Sequence, residues 1–163
     1  MKSSRKRKSE AQFYRPAREA LLELFKPKDC YLEITADRRL GEKIKRVLTD
    51  YDLFANQVER FIPDITGYVI RSEHDKPIIV AEVKAGPPSL RDIFQTKQYA
   101  EIFGAKYAFL LSPEDIHEEI ARIVKMKSMI LSHSAGYERV FVGRLDVEGT
   151  SIVQWYMGAP YLT

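Results

Sequence analysis

Apolar residues recur along this chain with two different spacings, and the switches between them mark its elements. Ala17, Ala20, Leu21, Leu24 and Phe25 repeat at three and four residues, the mark of a helix with one buried stripe. The run Ser9-Glu10-Ala11-Gln12 supplies a capping box at its start, and Pro27-Lys28-Asp29 breaks it. Pro16 either kinks this helix or opens its second part. Tyr31 to Thr35 reads as a short strand. Leu40, Ile44, Val47, Leu48 and Tyr51 outline a second amphipathic helix. Strands are predicted over Phe54–Ile62, Ile65–Arg71 and Ile78–Lys84, with turn chemistry between Ser72 and Pro77. Gly86-Pro87-Pro88 ends the last of these, and Ser89 caps a helix with Asp92 at its third position. Tyr107–Leu111 is a fully apolar strand. A helix is predicted from Ser112-Pro113, with Ile116, Ile120, Ile123 and Val124 on its buried side. Arg139–Leu145 and Thr150–Tyr156 close the chain as a hairpin.

The chemistry concentrates between residues 61 and 84. Pro63-Asp64 opens one strand-like run, and Glu82-Val83-Lys84 closes the apolar run Ile78-Ile79-Val80-Ala81. Side chains two apart on a strand share a face, so Glu82 and Lys84 point together and Val83 points away. An apolar strand seldom ends in two charges on one face. Asp64 and Glu82 stand far enough apart in sequence for two adjacent antiparallel strands and a turn. The following helix carries Gln95 and Tyr99, four apart.

Taken in order, these elements resemble the PD-(D/E)xK nuclease superfamily, the restriction-endonuclease-like fold. Pro63-Asp64 matches its PD element, Glu82-Val83-Lys84 its (D/E)xK element, and Gln95 with Tyr99 the QxxxY helix of several branches. The resemblance covers about residues 10 to 112. It implies an α/β fold: a mixed central sheet flanked by helices, an αβββαβ core, here with a C-terminal helix and β-hairpin extension. It implies a Mg²⁺-dependent endonuclease, a phosphodiesterase-type hydrolase acting on DNA, with Mn²⁺ as a substitute ion. Asp64 and Glu82 would supply the carboxylates that a hard cation needs. By the same resemblance the Val83 main-chain carbonyl is a further ligand, and Glu10 is the candidate for the carboxylate that many members add from the first helix. Glu10 falls about 20° from Ala17 on a helical wheel, inside the apolar stripe, whereas Glu19 and Glu42 fall on polar sides. Its other reading is a charge favouring a helix N-terminus. Lys84 would position water or stabilise the transition state, since two nearby carboxylates oppose the depressed pKa a base requires. Gln95 and Tyr99 either hold a phosphate or water beside Lys84 or form solvated surface. Gln95, Gln98, Tyr99 and Ile102 lie on one stripe of their helix, and Leu90, Ile93, Phe94 and Ala100 on a greasier one.

Composition narrows the picture. A chain of 163 residues fits one domain, expected over residues 10–163. Cys30 is the only cysteine, which excludes an internal disulfide and fits a cytoplasmic protein. No apolar run approaches a membrane span. A single Asn amid frequent Lys, Arg and Glu leans toward a thermophilic source. The net charge of +3 comes entirely from Lys2, Arg5, Lys6, Arg7 and Lys8; the remainder is slightly acidic. Residues 1–9 therefore read as a disordered basic leader, solubilising or touching phosphates. The alternative function is a non-catalytic nucleic-acid-binding or assembly module on the same fold. His74, His117 and His133 lack ligand spacing. A homodimer is expected if both strands of a duplex are cut, with Val140, Val142, Ile152, Val153, Trp155 and Tyr156 of the hairpin as its candidate interface; the other reading of these residues is an extension of the domain's own sheet.

Overall fold

A computed structural model describes the backbone of residues 2–48, 61–136, 138–148 and 150–162. Among these residues four helices and one mixed seven-stranded open sheet make an α/β architecture. The elements are α1 (Lys2–Leu24), β1 (Cys30–Ile34), α2 (Glu42–Val47), β2 (Ile65–Val69), β3 (Ile78–Val83), α3 (Leu90–Phe103), β4 (Tyr107–Ser112), α4 (Glu118–Met126), β5 (Ser132–His133), β6 (Glu138–Asp146) and β7 (Ser151–Tyr156). The sheet order is β1-β2-β3-β4-β6-β5, and β7 also pairs with β6. β1, β2 and β3 are antiparallel neighbours, while β3–β4 and β4–β6 are parallel.

Two apolar layers sandwich the sheet. Ile78, Val80, Ala108, Leu110 and Val142 face Ile93, Tyr99, Ala100 and Phe103 of α3. Ile79, Ala81, Val83, Phe109 and Leu111 share the opposite layer with Ala17, Ala20, Leu21 and Phe25 of α1. β3 and β4 are covered on both faces, which is why they read as unbroken apolar runs rather than alternating ones. α3 begins at the capping box expected for Ser89 and Asp92 and ends at Gly104, whose φ of 58° suits glycine.

Several expectations need correction. α1 is helical from Lys2, so the backbone of the basic stretch continues the helix through the Ser9 box and across Pro16. Helical propensity in Lys and Arg permits that extension where a local cap does not forbid it. α2 occupies only Glu42–Val47. The expected strand over Phe54–Ile62 lies mostly outside the described residues, and Phe61 and Ile62 are not in a strand. α4 starts at Glu118 rather than Pro113, and Ile123 is exposed while Val124 is buried. Phe94 is also exposed (51%), whereas Tyr99 is core (2%). The stripe that meets the sheet is therefore Ile93, Thr96, Tyr99, Ala100 and Phe103.

The hairpin of β6 and β7 extends the domain's own sheet. Val140 and Val142 are buried within it, and Trp155 lies 5.9 Å from Phe109 and 6.3 Å from Phe141 between ring centroids. Of the six residues considered for a dimer interface, only Val153 is exposed. No helix among the described residues is long and apolar enough to cross a membrane.

Candidate active site

The antiparallel register of β2 and β3 pairs Ile65 with Ala81 and Thr66 with Val80. Continued one residue, it sets Asp64 directly opposite Glu82. Because Ile65–Ala81 and Gly67–Ile79 alternate with it, this is the closer, non-hydrogen-bonded kind of pair. Both side chains lie on the α3 face of the sheet, and both residues are 2% exposed. Continued one residue more, the register sets Pro63 opposite Val83. Proline has no N–H, so it offers the Val83 carbonyl no ladder donor. The Val83 N–H is taken by Asp64 Oδ2 at 2.9 Å. A strand residue sends its N–H and C=O to the same edge, so the Val83 carbonyl leaves β3 on the Asp64 side.

Thr35 fixes the Pro63-Asp64 corner. Its Oγ1 donates to the Pro63 carbonyl at 2.7 Å and lies 2.8 Å from Thr66 Oγ1, and its N–H donates to the Asp64 carbonyl at 2.7 Å. Arg38 Nη1 donates to the Ile62 carbonyl, binding the same corner from the other side.

Two facing buried carboxylates repel. Burial and the neighbouring Asp64 push Glu82 up to about 8. Burial also raises Asp64, against the opposing pull of the Val83 N–H, Lys84 and Arg38. Lys84 Nζ meets Glu82 Oε1 at 2.8 Å and Asp92 Oδ1 at 3.8 Å. Burial alone would lower the Lys84 ammonium, but Glu82, Glu10 and Asp92 raise it above its ordinary value. Lys84 is thus held as a cation. The other oxygen, Glu82 Oε2, is buried with no hydrogen-bond partner.

A cavity of about 390 Å³ opens on these groups. Asp64, Glu82, Lys84 and Gln95 line it together with Glu10, Tyr14 and Arg38. Glu10, 9% exposed, comes from the far-layer helix to the sheet end, as its place in the apolar stripe suggested. Glu19 and Glu42 instead pair with Arg15 and Lys45 on the surface. Gln95 Nε2 donates to the Tyr99 hydroxyl at 2.9 Å. Tyr99 is not surface: it is core, its phenol raised by burial and then by Glu82.

Sequence reading missed Tyr14 and Arg38. Tyr14 stands one helical turn after Glu10, and burial, then Asp64, Glu10 and Glu82, raise its phenol, keeping the proton on. A Glu and Tyr four apart across one helical stripe was the available signal. Arg38 sits in a loop at φ 67°, a left-handed conformation that no sequence pattern here announced.

The donor set fits a hard divalent cation. Mg²⁺ ordinarily takes one or two carboxylates, with water and substrate oxygens filling its octahedron. Asp64, Glu82 and the Val83 carbonyl answer that description, and the orphaned Glu82 Oε2 is an acceptor in need of a positive partner. Glu10 shares the cavity but does not join them in a larger cluster. Among the described residues no group of three or more His, Cys, Asp or Glu side chains converges on a metal position. Cys30 is a free, half-buried thiol raised by burial, which does not make a nucleophile.

The site therefore belongs to an α/β protein whose mixed sheet ends in a buried carboxylate pair with an adjoining lysine. Comparison with known proteins gives no matching family model, curated protein or solved structure.

Proposed function

We propose that this protein is a Mg²⁺-dependent nuclease of the PD-(D/E)xK type, on a restriction-endonuclease-like fold, that hydrolyses phosphodiester bonds in DNA. The observation that carries the reading is the buried Asp64–Glu82 pair, with one Glu82 oxygen satisfied by Lys84 and the other unpartnered. Two facing buried carboxylates need either a shared proton or a cation to offset their charge. Without metal, Lys84 and a proton held on Glu82 offset the pair; a divalent ion would take the place of that proton.

Asp64, Glu82 and the Val83 carbonyl would hold Mg²⁺, with Mn²⁺ as a substitute. When bound, the ion supplies Lewis acidity at the phosphate and lowers the pKa of its water. The remaining work falls to the chain. Lys84, held protonated, places a positive charge beside the pentavalent transition state. Arg38 contributes a second cation facing the same cavity. Tyr99, locked by Gln95 and core packing, fixes the wall against which Gln95 turns toward the substrate. Tyr14 offers a phenolic donor from the α1 side.

The test is metal-dependent nicking of supercoiled plasmid by purified protein, with EDTA and Glu82→Gln as controls. Nicking that needs Mg²⁺ or Mn²⁺ and vanishes in Glu82→Gln supports the reading. DNA binding without metal-dependent nicking would instead favour a non-catalytic nucleic-acid module.

A further inference from the structure

A groove of about 790 Å³ runs along the outer face of α3 and joins the catalytic cavity through Lys84 and Gln95, which line both. Its other walls include Arg91, Phe94, Lys97 and Gln98. We propose that this groove binds single-stranded nucleic acid, with Phe94 stacking on an unpaired base next to the phosphate held at the Asp64–Glu82 site. The inference rests on the nuclease reading for what happens in the cavity, but binding in the groove is separable from cleavage.

Three features support this occupant. Phe94 is 51% exposed in the middle of a helix whose other large apolar residues are buried or half-buried, so much of its ring faces outward. Every base has a π-face, and an exposed aromatic beside a basic track is how single strands are gripped without sequence readout. Lys97 Nζ lies 5.5 Å from the Phe94 ring centroid, and Arg91 stands one turn before Phe94. Arg91 and Lys97 thus stand one turn to either side of Phe94 along α3.

Three cations, Lys84, Arg91 and Lys97, line the groove against two carboxylates, Asp92 and Glu101, each tied by a backbone N–H. Asp92 Oδ2 accepts from the Ser89 N–H at 2.9 Å, and its Oδ1 faces Lys84. Glu101 Oε1 accepts from the Ser134 N–H. No ion pair involves Arg91 or Lys97 among the described residues. A paired duplex offers no free base face in its interior, so the geometry points to an unpaired stretch rather than continuous double helix.

The test is fluorescence anisotropy with a labelled single-stranded oligonucleotide in EDTA, which prevents metal-dependent cleavage. The wild-type protein should bind it more tightly than a blunt duplex of the same sequence. Phe94→Ala should weaken single-strand binding roughly 5- to 100-fold. Phe94→Trp should retain it, and Phe94→Leu, which keeps apolar bulk, should not. Arg91→Ala and Lys97→Ala should each reduce the salt dependence by about one phosphate contact. An oligonucleotide of abasic spacers should erase the difference between wild type and Phe94→Ala. Circular dichroism checks that each variant folds, which the exposure of Phe94 favours. Binding of Phe94→Ala equal to wild type overturns the proposal, as does equal binding of the abasic strand or no binding of single strands at all. Light scattering showing that Phe94→Ala changes only self-association overturns it too. If the protein never cleaves yet shows this Phe94 dependence, the nuclease reading falls and the groove stands.

Discussion

The Val83 N–H donates to Asp64 Oδ2 at 2.9 Å, where an antiparallel ladder would have used the Pro63 carbonyl. Thr35 has taken that carbonyl instead. One contact thus ties down the Asp64 carboxylate and ends the β2–β3 ladder, and strand geometry leaves the Val83 carbonyl on that same edge. Pro63→Ala should restore an N–H able to reach the Val83 carbonyl and compete with a cation there. The expected result is Mn²⁺ affinity reduced about 10-fold by calorimetry, with thermal stability unchanged or raised. Unaltered affinity would remove the Val83 carbonyl from the ligand set.

Lys84→Ala should lower plasmid nicking by about 10²- to 10³-fold while Mn²⁺ binding changes only a few-fold, because the ammonium acts on developing charge. The check is to compare calorimetric affinity with the single-turnover rate. A variant that cleaves normally would show Lys84 to be an ordinary ion-pair partner of Glu82.

In metal-free protein, Glu82 has a folded pKa raised from 4.5 to about 8. The fold thus favours its protonated form. That contribution to stability is complete below the unfolded pKa and is lost as pH rises toward about 8. Melting temperature without metal should therefore fall across this window, at no more than about 1.4 kcal/mol per pH unit. Mg²⁺ or Glu82→Gln should flatten the trend. A metal-free wild-type profile as flat as that of Glu82→Gln would show that Asp64 and Glu82 do not share the burden described.

Arg38 combines a strained backbone with a position in the cavity. Arg38→Gly relieves a left-handed conformation, worth about 1 kcal/mol, but loses the bond to the Ile62 carbonyl, so net stability should change by less than about 1 kcal/mol. Cleavage should nevertheless drop about 10²-fold through loss of a phosphate-facing cation. Equal cleavage by Arg38→Gly and wild type would restrict Arg38 to holding the loop.

Gly67 has no room for a side chain. A Cβ there would stand 2.0 Å from the Tyr31 carbonyl and 2.5 Å from Leu32 Cδ2. Backbone cannot yield as a flexible side chain does, so Gly67→Ala should destabilise the protein by about 2 kcal/mol or more in denaturant titration. Since β2 carries Asp64 at its head, metal affinity should fall with it. An unchanged unfolding midpoint would mean that β1 and β2 separate more easily than their packing indicates.

Some of this was legible residue by residue. The apolar run of β3, the shared face of Glu82 and Lys84, and the Ser89–Asp92 capping box follow from spacing alone and stand in the structure. Spacing also placed Glu10 on the buried stripe of α1. Where the prediction failed, a local signal met a competitor outside its window. Ser9 marked a helix start that α1 overruns, and Phe94 had an apolar neighbour pattern that α3 turned outward. The six hairpin residues left interface and sheet extension both open, and pairing of β7 with β6, with Trp155 packed on Phe109 and Phe141, makes them part of the domain's own sheet.

The sequence by itself determined which residues could share a face, because strand and helix periods are set by backbone geometry within a few residues. It did not determine that Asp64 meets Glu82 side by side, since register is a choice between segments and one residue of slip would invert it. It was silent on Arg38 and Tyr14, which reach the cavity from a loop and from the helix on the far layer. Only the packing of both layers around the sheet end brings those groups together. The cost of burying their charges, absent from any linear pattern, arises there for the first time.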